Sequence, residues 1–149
     1  MNAMRCLCAG LGLLAMLRPA CGAPVVAGPS PAERRIIDRQ ISRIADPATR
    51  RAVQGQDMAW QMTTFLCENA ARAVLVRMGS QPHRFFLQDA GPGSQVVASA
   101  ALVSGRGQFL RAGNGIEWVG FTWACHLDPA TGHVVRLDVT PTGPVQAGP

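Results

Sequence analysis

IEWVGFTWACHL, residues 116–127, sets Val119, Phe121, Trp123, Cys125 and Leu127 on one side and Gly120, Thr122 and His126 among the intervening positions, after Glu117. A period of two held over this length marks a strand with one buried face, and that face carries a cysteine. Gly113-Asn114-Gly115 before it is a hairpin signal, and Asp128-Pro129-Ala130-Thr131-Gly132 after it is a turn. The turn leads into a second alternating run at 134–140, with Val135, Leu137 and Val139 pointing one way and Arg136 and Asp138 the other. Upstream, 84–88 reads as a short first strand and 95–103 as a second, separated by the turn Ala90-Gly91-Pro92-Gly93-Ser94. Residues 109–111 are expected to continue the sheet past Gly105 and Gly107 through a bulge.

Before residue 79 the period is helical. Ser30-Pro31-Ala32-Glu33 combines an N-cap hydroxyl, proline at the first helical position and glutamate three residues after the cap, which together make a capping box. Ile37, Ile41 and Ile44 then share one face, predicting an amphipathic helix to about residue 45. Asp46-Pro47 caps a second helix that weakens at Gly55. From 56 to 78 there is no proline or glycine, and Trp60, Thr64, Cys67, Ala71, Val74 and Met78 recur at four- and three-residue steps. That spacing predicts one long helix with those six side chains on its buried stripe, stopped by Gly79. Helices followed by an antiparallel meander predict an α+β fold, the longer helix lying on one face of a small sheet.

Cys67 falls on the buried helical stripe and Cys125 on the core face of the best strand, so a disulfide between them would staple helix to sheet. The other three cysteines, Cys6, Cys8 and Cys21, lie in a leader. Arg5 precedes an unbroken apolar run of 12 residues, CLCAGLGLLAML at 6–17. This suits the core of a secretory signal and falls well short of the roughly 20 residues a membrane-spanning helix needs. Ala20 and Gly22 place cleavage after Gly22, with Ala27 as the second candidate. Arg18-Pro19 occupies the positions where lipid attachment at Cys21 would want a small or leucine side chain, which disfavours a lipoprotein. The expected organisation is therefore a signal peptide at 1–22 (cleavage as late as 27), a tether at 23–29, one domain at 30–140 and a disordered Pro- and Gly-rich tail at 141–149. The expected location is periplasmic or secreted, where a cysteine pair can be oxidised.

All 14 basic residues are arginine, and losing Arg5 and Arg18 with the leader takes the formal net charge from +5 to +3. There is no tyrosine, and the few Trp and Phe residues lie mostly in expected core strands, against an aromatic platform for nucleic acid. Arg34, Arg35, Arg39 and Arg43 on the first helix, with Arg50 and Arg51 beyond, form the one charge cluster. They are the expected contact for an anionic partner, either an envelope protein or polymer or a membrane surface. Catalytic patterns are not found. Cys125 and His126 are neighbours on a strand and point to opposite faces, so they cannot work as nucleophile and base. His83, His126 and His133 are scattered without metal-ligand spacing, although His126 and His133 flank one turn. The glycine pairs never extend to a nucleotide-binding fingerprint. No catalytic residue, metal or cofactor is expected.

Phe65-Leu66-Cys67-Glu68-Asn69-Ala70, Arg106-Gly107-Gln108-Phe109, Trp118-Val119-Gly120-Phe121-Thr122-Trp123-Ala124-Cys125 and Asp128-Pro129-Ala130-Thr131-Gly132-His133-Val134 follow one another in a recognisable order. In these residues the chain resembles small exported proteobacterial proteins known as domains of unknown function. The resemblance covers about half of the chain, implies export and the cysteine pairing, and brings no catalytic residues. The expected function is a non-catalytic binding or accessory module of the cell envelope. The alternatives are a small enzyme with a dispersed site, which would gather His126, His133 and a carboxylate, or a membrane-surface protein using its arginine-rich helix.

Overall fold

A computed structural model describes residues 27–113 and 115–145; the stretch expected to be a signal peptide, the expected cleavage site after Gly22, Cys21 and residues 146–149 lie outside the described residues. The chain runs α1 (Pro31–Ser42), α2 (Pro47–Gln54), α3 (Met58–Met62), a π-helical turn (Thr63–Cys67) and α4 (Glu68–Arg77). The strands follow as β1 (Ser80–Phe86), β2 (Gln95–Ser99), β3 (Leu102–Arg111), β4 (Trp118–Asp128) and β5 (His133–Pro144). The fold is α+β, with the helices on one face of a five-stranded antiparallel sheet.

The capping box at α1 forms as the sequence predicts: the Glu33 amide donates to Ser30 Oγ at 3.2 Å and the Ser30 amide to Glu33 Oε2 at 2.6 Å. The helix ends at Ser42 rather than near 45, and Arg50 donates to the Ile44 carbonyl at 2.7 and 3.0 Å across the connection to α2.

The long helix forms from Met58 to Arg77 with one irregularity inside it. Asp57 caps its start, its carboxylate accepting from the Trp60 amide at 2.8 Å, and the π-helical turn then widens the coil by one residue. The wide turn makes a five-residue step from Met62 to Cys67 point both side chains inward, and the stripe continues through Ala71 and Leu75. Trp60, Thr64, Val74 and Met78, expected on that stripe, are only half-buried. The phase shift removes Trp60 and Thr64 from the core and places them at a groove.

The sheet departs from the sequence reading in three places. Residues 95–103 are not one strand but a hairpin, turning tightly so that Ser99 pairs with Leu102. β3 then runs to Arg111 through Gly105 and Gly107, pairing along its length with β4. Val135 is 72% exposed, because the ladder slips between His126 and Leu127 and Val134 takes the inward place opposite Leu127. The segment from 141, expected to be disordered, extends β5 to Pro144 and pairs with β4 at Pro141↔Phe121 and Pro144↔Val119.

One edge of the sheet is split. β1 lies beside the C-terminal half of β3 (Phe86↔Gln108) and β2 beside its N-terminal half (Gln95↔Gly105). Cys67 and Cys125, both fully buried, form the expected disulfide, with Cα atoms 6.1 Å apart at a sequence separation of 58. The staple joins the π-helical turn to β4, whose Val119, Phe121, Trp123 and Leu127 make the floor of the core.

A candidate binding groove over Trp60

Where the edge splits, the chain between β1 and β2 faces the start of α3. Three interactions hold this connection in place. Trp123 Nε1 donates to the Leu87 carbonyl at 2.9 Å, Asp89 accepts from the Gly91 amide at 2.8 Å, and the Arg106 amide donates to the Ser94 carbonyl at 2.8 Å. Arg106 Nε also donates to Asp89 Oδ2 at 2.7 Å on the outer face of the sheet.

Between this connection and the helices lie two hollows of about 280 and 500 Å3 that share Trp60, Gln88 and Gln95 in their walls. The smaller adds Thr63, Thr64, Glu68, Phe85 and Leu87; the larger adds Gln56, Asp57 and Ser94. Trp60 is braced by a T-shaped contact with Phe65, ring centroids 6.0 Å apart. Thr63, 2% exposed, keeps its buried hydroxyl without a hydrogen-bond partner. The charged side chains in the walls are both acidic: Glu68, paired with Arg72 at 3.5 Å, and Asp57, engaged as the α3 cap. The π-helical turn lines the smaller hollow through Thr63 and Thr64, and such turns are frequent at functional sites.

The arginine cluster is divided by the fold. Arg34 turns inward, donating to Gln61 Oε1 and Met58 Sδ at 3.2 Å and tying α1 to α3. Arg35, Arg39 and Arg43 remain exposed on α1. Arg39 and Arg43 meet His133 in a separate open hollow of about 530 Å3 floored by Ile36, Phe65 and Leu66. His126 lies elsewhere, on the outer sheet face, 3.0 Å from Asp138 Oδ2 and 3.1 Å from Arg136. The two histidines flanking the turn are thus held on different surfaces. Among the described residues, no three His, Cys, Asp or Glu side chains are grouped to hold a metal ion, and no helix is long and apolar enough to cross a membrane. The outer sheet face carries one aromatic pair, Phe86 stacked on Trp118 at 5.7 Å, amid charged side chains.

The groove has no counterpart in the sequence pattern. Trp60 fell on a helical stripe, and Gln88 and Gln95 fell in expected strands.

Three capping and turn carboxylates tie the stability of the domain to pH. The hydrogen bond from Arg106, then that from the Gly91 amide, hold the Asp89 carboxyl below its ordinary 3.8. The Ala130 amide and Thr131 hydroxyl do the same for Asp128, as does Thr49, through its hydroxyl and amide, for Asp46. Groups with a depressed folded-state pKa contribute stability above the unfolded value and lose it as pH falls through the folded one. The urea midpoint should therefore be flat above about pH 5 and fall below about pH 4, with Asp128→Asn removing part of the fall. An unchanged midpoint at about pH 3 would contradict this assignment.

Comparison with protein-family models, curated proteins and solved structures found no match to this chain in any of the three.

Proposed function

We propose that the chain is exported, loses residues 1–22, and serves in the periplasm or outside the cell as a non-catalytic binding or accessory module of the envelope. The observation that carries the binding reading is the groove over Trp60, a hollow beside the split sheet edge walled by the Gln88 and Gln95 amides, threonine hydroxyls and an indole together with Phe85 and Leu87. Such side chains recognise a ligand; they do not supply a nucleophile and its base. A pocket gathering His126 and His133 would favour the enzyme reading, and the two stand on separate surfaces.

Export is supported by the buried Cys67–Cys125 disulfide, which belongs to an oxidising compartment, and by the resemblance of the residues around those cysteines to small exported proteins. Expression of the full chain, fractionation of the cells and mass measurement without reductant test it. The expected product is a periplasmic or secreted species starting at Ala23 or Gly28 and lighter by the two hydrogens of one disulfide. A cytoplasmic, uncleaved chain with free thiols would sink the proposal.

A further inference from the structure

We propose that the groove over Trp60 takes a neutral saccharide, stacked against the indole and hydrogen-bonded through Gln88 and Gln95. This rests on the reading of the groove as the module's binding site.

The argument starts from what the walls offer. Sugar rings present an apolar face of C–H groups and an edge of hydroxyls that both donate and accept. A fixed indole suits the first, and its ring is already braced by Phe65 at 6.0 Å, so little side-chain freedom is lost on binding. Carboxamides suit the second, since each carries an acceptor oxygen and two donor hydrogens. Gln88 and Gln95 line both hollows with Trp60, which puts one aromatic surface and two amides around the same space. Thr63, with its buried hydroxyl unpartnered, lies in the wall of the smaller hollow.

Charge narrows the class further. The chain has 14 basic residues, all arginine, yet among the described residues none lines either hollow, and the charged wall residues are Asp57 and Glu68. A phosphate or carboxylate ligand would meet like charge there, whereas Arg39 and Arg43 offer it a hollow of opposite sign elsewhere. A wholly apolar ligand would strip the amides of water without replacing their hydrogen bonds. A peptide adding as a strand needs a continuous edge, and this edge is divided between β1 and β2.

The test uses the mature, oxidised chain, titrated by calorimetry with maltotetraose, cellotetraose and the tetramer of N-acetylglucosamine, so that the readout does not depend on the indole itself. Heparin serves as the anionic probe and an alanine-rich peptide as the extended one. We expect saturable binding of at least one neutral tetrasaccharide, weakened about tenfold or more by Trp60→Ala and by Gln95→Ala and unaffected by Arg43→Ala. Gln95→Ala guards against disturbance of α3 by the tryptophan change, and both variants are checked for an intact disulfide and unchanged circular dichroism. The inference is overturned if none of the three saccharides saturates, if only heparin binds, or if binding survives both variants. Trp60-dependent binding of the peptide alone would also overturn it, while leaving the binding-module reading standing; export is judged separately, by fractionation.

Discussion

Cys67→Ser or Cys125→Ser will lower the stability of the domain by about 4 kcal/mol or more, the largest single effect we expect. The loop that the disulfide closes spans 58 residues, and on the chain-entropy model a closure of that length is worth about 4 kcal/mol. Both positions are fully buried, so a serine hydroxyl left there without a partner adds roughly 1–3 kcal/mol. Small domains hold only about 5–15 kcal/mol in total, so either variant should sit near its unfolding threshold. The expected reading is a fall in melting temperature of roughly 15 °C. Urea unfolding of the parent with and without reductant, beside the Cys67→Ala/Cys125→Ala double variant, separates lost cross-link from buried hydroxyl. A loss below about 1 kcal/mol in the double variant would mean that the helix–sheet contact holds itself without the staple.

Gly107→Ala is the second. Ordinarily an alanine in place of a strand glycine stabilises by about 0.5–1 kcal/mol through reduced chain entropy. Here the sign reverses. Gly107 pairs with Phe121, and a Cβ would lie 2.7 Å from Phe121 Cζ while colliding with the Phe86 carbonyl oxygen. Gly105 repeats the arrangement one pair along, with Trp123 Cζ2 at 2.8 Å and the Ser94 carbonyl oxygen in the way. The backbone carbonyls belong to the split edge and cannot rotate aside as a side-chain tip would. Overpacking of this kind costs about 1–3 kcal/mol, and two obstructions put Gly107→Ala at the upper end. Gly55→Ala is the control: its Cβ would find only ordinary contacts, 3.5 and 3.6 Å from the Arg51 and Ala52 carbonyls, and should leave stability unchanged or slightly raised. Equal effects at Gly55 and Gly107 in urea unfolding would refute the packing argument.

Those glycines show where the sequence could and could not be read. β4 was legible because its burial is one-sided and unbroken, so a period of two predicts every inward side chain from Val119 to Leu127. The cysteine pairing followed from the same pattern joined to a helical stripe. β5 was legible until its ladder slipped: one bulge exchanged Val135 for Val134, and alternation alone contains no mark of a bulge. The hairpin at Ala100-Ala101 was missed because neither residue is a turn former; the signal was Ser99, whose Oγ accepts from the Ala101 amide at 3.1 Å. The π-helical turn was hidden for a related reason, since Thr63-Thr64-Phe65 reads as ordinary helix. That one inserted residue carries Trp60 out of the core, so the candidate site was lost together with the helical phase. The prolines at 141 and 144 suggested disorder, but an edge strand tolerates them, and the Val145 amide still donates to the Trp118 carbonyl at 2.8 Å.

Those same prolines set how the folded chain meets copies of itself. A sheet edge is a template for cross-β growth only when it offers an unbroken row of N–H and C=O groups. β5 presents an edge with no amide hydrogen at Pro141 or Pro144 and a bulge at Val135. The opposite edge is divided between β1 and β2, and within β1 it carries Pro82 and the left-handed backbone of His83, at φ 60°. Neither side gives an incoming strand a straight run to zip against, so the sheet resists fibrous stacking at both of its margins.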